Sequence, residues 1–232
     1  MYLWYTHYKM QLGLWVLAHY ARRMFCATPQ SMPQYTGSPK KNVVGHGIDL
    51  GFWPKRENVC EHPEKLLVVH RLSRSKRLEI SLEAMKLLPE SYTLDIYGIE
   101  AEVGYVAEMK GLTKKLGLES RVTFHGTVPM YQLPELYIKH RFLLNMASET
   151  IDKTMLEVMT CGCYPVTTVG NARAIGIPEA PSEDTAQELA SFILSHKDRL
   201  PLSAEEVYAV VQEKHSLAAL IEKMDVYIRS GQ

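Results

Sequence analysis

Charge of one sign is missing from this 232-residue sequence: Lys and Arg number 26, as do Asp and Glu, so the formal net charge is zero. A neutral chain has no surplus of cations with which to release counterions from a polyanion, so nucleic acid is not an expected partner and phosphate recognition must be local. Long apolar runs are missing too. The stretches LGLWVLA (12–18) and FLLNMA (142–147) fall far short of the roughly 20 residues that a membrane-spanning helix needs. The opening MYLWYTHYK lacks the basic region, apolar core and small-residue cleavage site of a signal peptide, and four cysteines are too few for a disulfide framework, so a cytoplasmic location is expected. Cys161 and Cys163 form a C-x-C with no second Cys or His pair at zinc-site spacing; small residues packing at a helix end explain it, with metal or redox chemistry as the alternative. No Asp-x-Asp cluster, internal repeat or low-complexity segment occurs.

What is present is an alternation. KLLVVHRL, YTLDIYG, RVTFHG, RFLLNMAS and YPVTTV are short apolar runs, and helical segments such as RLEISLEAMKLL, YVAEMKGLTKKLGL and KTMLEVMTC lie between them, closing with a helix from about Thr185 to His196. Apolar runs with little polar alternation fit strands buried on both faces, and intervening helices supply the crossovers of a doubly wound parallel α/β sheet. Residues 59–205 are expected to form this complete Rossmann-like domain, with the proline-punctuated GFWPKRENVCEHPEK (51–65) as the linker into it. Residues 1–58 are expected to hold a short strand (YLWYT), an amphipathic helix from about Met10 to Met24 and two short strands, MFCAT and NVVGHG, too few elements for an independent core. Residues 206–232 read as closing amphipathic helices.

Ligands of open parallel sheets bind beyond the carboxyl ends of the strands, so the strand-to-helix junctions carry the functional reading. After KLLVV, Arg71, Arg74, Lys76 and Arg77 crowd one strand end, and of these Arg71 and Lys76 are the pair suited to grip a diphosphate by a fork of donors and a point charge; a solvated basic turn that starts a helix is the plain alternative. Gly98 after LDIY permits close backbone approach to a ligand, or is a plain turn. His125, Gly126, Thr127 and Val128 follow a strand where backbone groups can contact a planar base, or form an ordinary loop. After FLLNMAS, Glu149 lies just past the strand, Asp152 is placed to cap a helix from about Lys153 to Cys161, and Gly162 stops it. The amino end of that helix favours an anion such as a diphosphate. Carboxylates beside phosphate repel it unless they bind neutral hydroxyls, so Glu149 is assigned to sugar hydroxyls and Glu157 to a ribose; a turn residue and a helix-surface residue are the plain alternatives.

The ordered set VVGHGIDLGFW, VVHRLSRSK, LDIYG, VTFHGTVP and SETIDKTMLEVMTCGCYPVTT, which covers most of residues 43–200, resembles the retaining glycosyltransferases of family 4, enzymes of the GT-B fold. That family has a strand ending in Gly-Arg-Leu that leads to a Lys, and an E-x(7)-E motif before a Gly-x-Pro-Val. Arg71, Lys76, Glu149 and Glu157 match in type, order and spacing. The resemblance implies transfer of a hexose from a nucleotide diphosphate sugar to a hydroxyl of a glycan or lipid-linked acceptor, with retention and with neither cofactor nor metal. It also implies that Thr150, Ile151, Asp152, Lys153 and Thr154 face the donor, and that His7, after YLWYT, sits near the acceptor.

Three features depart from the pattern. His70 replaces the glycine before the Arg, and Thr-Ile-Asp replaces Gly-Phe-Gly after Glu149. The third is length, since residues 1 to about 50 resemble only the last elements of the family's amino-terminal domain, a remnant beside the complete one. The readings are therefore an enzyme of glycan or cell-envelope synthesis, a donor-binding module or inactive remnant that needs a partner chain, or a GT-B sugar-nucleotide epimerase. A shortened sheet and an apolar helix are expected to drive self-association, or binding of a partner chain, through residues 1–25. Contact of Met10 to Arg23 with a membrane is the competing reading of that helix.

Overall fold

The structure is a computed structural model that describes residues 1–6, 12–57, 60–148 and 151–230. In chain order its elements are β1 (Tyr2–Trp4), α1 (Leu12–Tyr20), β2 (Arg23–Cys26), β3 (Lys41–Val43), β4 (Lys65–Val69), α2 (Leu78–Leu87), β5 (Thr93–Tyr97), α3 (Tyr105–Lys115), β6 (Val122–Gly126) and α4 (Leu133–Tyr137). They continue with β7 (Phe142–Asn145), α5 (Lys153–Thr160), β8 (Tyr164–Thr167), α6 (Val169–Ile175), α7 (Ala186–Ser195), α8 (Ala204–Val210), a π-helical turn (Val211–His215) and α9 (Leu217–Arg229). Two compact units divide the chain: 53–211, and 1–52 together with 212–232. The segment expected as a separate closing piece, 206–232, is thus shared between them, and α9 belongs with the amino-terminal strands.

In the larger unit five strands run parallel in the order β6-β5-β4-β7-β8. Every residue of β7 and all but the first of β4 is buried, which their uninterrupted apolar sequences require of strands covered on both faces. β5, between β4 and the edge strand β6, alternates instead, burying Leu94 and Ile96 and leaving Thr93, Asp95 and Tyr97 half-buried. Helix α2 packs on α3 and α7, and α5 packs on α8. Because the chain fills the sheet outward from β4 on one side and then from β7 on the other, the connections diverge between these two strands. That is the switch point where an open parallel sheet leaves room for a ligand.

The smaller unit holds a parallel sheet in the order β1-β2-β3, with Tyr2 opposite Arg23 and Met24 opposite Lys41. Phe25, Val44 and Leu220 form a small core with Met224, Tyr227 and Ile228, so α9 covers the strands. The helix expected from Met10 to Met24 is described only over Leu12–Tyr20, and it is not amphipathic. It carries no Asp, Glu, Lys or Arg and buries Leu14 and Ala18, while Leu12, Trp15, Val16, Leu17 and Tyr20 stay exposed. Its apolar residues outnumber what the width of one helix face can bury.

Gly98 ends β5 at φ 158°, and a Cβ there would lie 1.9 Å from the carbonyl oxygen of His70. Its amide donates to the Gly126 carbonyl at 2.7 Å. The close backbone approach that Gly98 permits is therefore that of strand end to strand end, which aligns the β4, β5 and β6 termini. We predict that Gly98→Ala costs on the order of 3 kcal/mol in urea unfolding, since backbone and not a flexible side chain meets the new carbon.

Candidate active site

The β4 and β7 ends present most of the residues that the sequence singles out. Arg71 follows β4 and is exposed, and its guanidinium makes no ion pair or hydrogen bond among the described residues. His70 before it is buried; its Nδ1 donates to the Arg71 carbonyl at 3.0 Å. Burial pushes its pKa down to about 4, against the opposing pull of Asp152, so at neutral pH this ring adds no charge to the site.

Lys76 lies on the turn Arg74–Lys76 and is buried, with 6% of its surface exposed. Its Nζ donates to both oxygens of Asp152, at 2.5 and 2.6 Å. Asp152 does occupy the N-cap position of α5, as expected, but its side chain makes no capping bond. The carboxylate turns to Lys76 and accepts a further bond from Asn145 Nδ2 at 2.8 Å, because a buried ammonium without a counter-charge costs more than an uncapped helix end. This ion pair joins the junction after β4 to the start of α5.

Three more side chains hold the same corner. Arg77, in the left-handed region at φ 49°, donates from Nε to the Met146 carbonyl at 2.6 Å and from Nη2 to Asp184 at 2.8 Å. Asn171 Nδ2 donates to the Ala147 carbonyl at 2.7 Å, and the Ala147 amide donates to Asn145 Oδ1 at 3.2 Å. The backbone that leads to Glu149 is thus clamped from both sides. Arg77 belongs to the basic cluster read at the end of KLLVV, whereas Asn145 and Asn171 escaped the sequence reading; the signal available was an Asn closing an otherwise apolar strand, and an Asn inside a helix that buries it.

Ile151 is buried, Lys153 is exposed at the first turn of α5, and the Thr154 Oγ1 is buried without a hydrogen-bond partner among the described residues. Glu157 lies one turn beyond Lys153 and faces the hydroxyl of Tyr137. Burial pushes its pKa up to about 7, outweighing the favourable Lys153 charge and the tyrosine hydroxyl. A buried carboxyl with so perturbed an affinity for its proton is characteristic of functional positions. Glu149, Thr150 and His7 lie outside the described residues.

At the edge, His125 is turned onto the sheet. Its Nε2 lies 2.6 Å from Asp95 Oδ1, and its ring stacks on Tyr97 at 4.4 Å and 7°. His140 and His125 hold the Asp95 carboxyl below the usual range. With the ring so engaged and the Gly126 carbonyl taken by Gly98, the exposed Thr127 and the half-buried Val128 are what the end of β6 offers a ligand. Cys161 and Cys163 are fully buried; burial raises both thiols, that of Cys161 to about 11, which makes them packing residues and poor nucleophiles. Among the described residues no group of His, Cys, Asp and Glu is placed to hold a metal ion, and no helix is long and apolar enough to cross a membrane.

Residues 51–175, more than half of the 232, match the family model described as glycosyl transferases group 1. The chain belongs to this family. Comparison with curated proteins returns no match. Among solved structures, HepE of Anabaena in complex with UDP and glucose superposes with a TM-score of 0.79 at 18% identity, covering 98% of this chain and 71% of that one. Sucrose-phosphate synthase of Thermosynechococcus elongatus gives 0.73 at 22% identity over 90% and 58%, and a glycosyltransferase of Rickettsia africae 0.73 at 15% over 97% and 69%. At these identities the likeness is one of fold, the GT-B type, and this group 1 chain has its α/β architecture.

We predict that the Glu157 carboxyl costs stability as it ionises. Its folded-state pKa is about 7 against an ordinary 4.5, so the stability present below pH 4.5 is lost as the pH rises toward 7. Glu157→Gln is expected to flatten this part of the pH profile and to be more stable than wild type at pH 8 by on the order of 2 kcal/mol, measured by urea unfolding across pH 4.5 to 8.

Proposed function

We propose that this chain binds a nucleotide diphosphate sugar at the β4/β7 switch point and transfers the hexose, with retention, to a hydroxyl acceptor. The observation that carries the reading is the Lys76–Asp152 contact, which brings a cationic strand end and the amino end of α5 to one point. There the exposed Arg71 guanidinium, Lys153 and the amino end of α5 suit a diphosphate and would stabilise the charge that develops on it as a leaving group. Glu157, one turn deeper, suits a ribose, because a desolvated carboxylate gains most from neutral hydroxyl donors. Glu149 is assigned to the sugar and His7 to the acceptor side by the family motif alone, and Thr127 and Val128 to the base by their place after β6. The chemistry in this proposal needs no cofactor and no metal, since side-chain cations and helix amides take up the phosphate charge. The combined motif set, through its resemblance to family 4, supports placing the chain there within the group. HepE is a protein solved with UDP and with UDP-glucose, which makes uridine the first base to try.

The test is calorimetric titration with UDP, GDP, ADP and their hexose conjugates. Arg71→Ala and Glu157→Ala are each expected to weaken the preferred nucleotide about tenfold or more, the worth of one hydrogen bond to a charged group. Unchanged affinity in both variants would remove the site from this corner of the sheet.

The exposed apolar residues of α1 favour a second, compatible reading, in which the chain works as a donor-binding half completed by another chain or a second copy. The apolar surface of Leu12, Trp15, Leu17 and Tyr20 is unusual on a free helix. Light scattering after gel filtration is expected to find an assembly larger than one chain, and Leu12→Glu with Trp15→Glu to shift it toward the monomer. A monodisperse wild-type monomer would end this reading.

A further inference from the structure

Resting on the donor-site reading above, one contact goes beyond it. Lys76 is buried, and two of its three ammonium hydrogens point to the Asp152 carboxylate. The carboxylate is the more accessible partner, with 20% of its side chain exposed against 7% for Lys76. It is oriented by three donors, two from Lys76 and one from Asn145. It declines the bond that an Asp at an N-cap ordinarily makes, although it stands at the cap position, and so leaves the first amides of α5 without it. Beside those amides the Thr154 Oγ1 is buried with no partner among the described residues. An anion is therefore already seated on the lysine, beside a hydroxyl that has no partner among the described residues.

We infer that Asp152 sets the anion affinity of this site, as a built-in counter-anion that holds Lys76 and that an incoming diphosphate must displace. Two anions cannot share one buried ammonium without repulsion in a medium that screens poorly. With Asp152 seated, the corner offers Arg71 and Lys153 to the ligand and withholds Lys76. When phosphate oxygens take the ammonium, the carboxylate moves outward on the exposed side of the pair, the direction its greater accessibility leaves open. Asp152 is on this account an affinity-determining residue and not a catalytic one. Its effect on binding is opposite in sign to its effect on stability.

That opposition makes the test sharp. Asp152→Asn keeps size and shape and removes the charge. It is expected to bind UDP and inorganic pyrophosphate at least tenfold more tightly than wild type by calorimetry at fixed ionic strength, while its melting temperature falls because Lys76 has lost its counter-charge. Asp152→Glu, which retains the carboxylate, is expected to stay close to wild type in affinity. Asp152→Ser is read in the same way should the Asn variant not fold. Equal or weaker binding by a folded uncharged variant, with wild type still binding UDP, would overturn the inference and leave the donor site standing. Failure of wild type and variants alike to bind UDP, GDP, ADP or pyrophosphate would overturn the donor-site reading and this inference with it.

Discussion

The lateral pairing of β4 with β7 is the constraint on which the rest depends. Both strands are apolar over almost their whole length, so each must be covered on both faces, and only the middle of a parallel sheet provides that. Placing them side by side sends the chain outward in opposite directions and opens a notch at their carboxyl ends. Arg71 and Lys76 follow one of these strands, and Asp152 and Lys153 stand at the start of the helix that follows the other. Residues some 75 positions apart in sequence, Lys76 and Asp152, become ion-pair partners because two buried strands have no other place to go.

The notch is held more rigidly than its loop composition suggests. Arg77, Asn145 and Asn171 hydrogen-bond the backbone at Met146 and Ala147, and Asn145 passes the connection on to Asp152 and Lys76. Asn145 and Asn171 are buried and Arg77 half-buried beside a chain segment whose own amides and carbonyls lie past the strand, so side chain and backbone satisfy each other. Arg77 adopts a left-handed backbone that a non-glycine residue ordinarily avoids. The two bonds its guanidinium makes there offset that cost. Clamping of this kind suits a site that must offer donors at fixed positions.

Much of the larger unit was legible in sequence. The uninterrupted KLLVV and FLLN could only be buried strands, LDIY alternated because its neighbour is an edge, and the helices between them carried their own stop signals, such as Gly162 after α5. The smaller unit was read less well. Its helix was expected to be longer and amphipathic, yet LGLWVLAHY has no charged residue to define a polar face, and its apolar surplus is left exposed. Of the candidate-site residues, Arg71 and Lys76 were legible as a cluster at a strand end and Glu157 as a helix residue, which is where the structure has them. Their supporting residues were not, because an isolated Asn in a strand announces only that it needs a partner, never which one.

By itself, then, the sequence determined the order and type of the main elements, the strand ends at which polar residues gather, and through its ordered motifs the family. These are consequences of local periodicity and of burial, which act over a few residues at a time. Tertiary structure decided what each group meets: that Asp152 turns from the helix it was placed to cap and pairs with Lys76, that His125 spends its ring on Asp95 and Tyr97, and that Gly98 makes room for the His70 carbonyl. Such partners are chosen by distance across the sheet, and distance between residues so far apart in the chain exists only once the strands have paired.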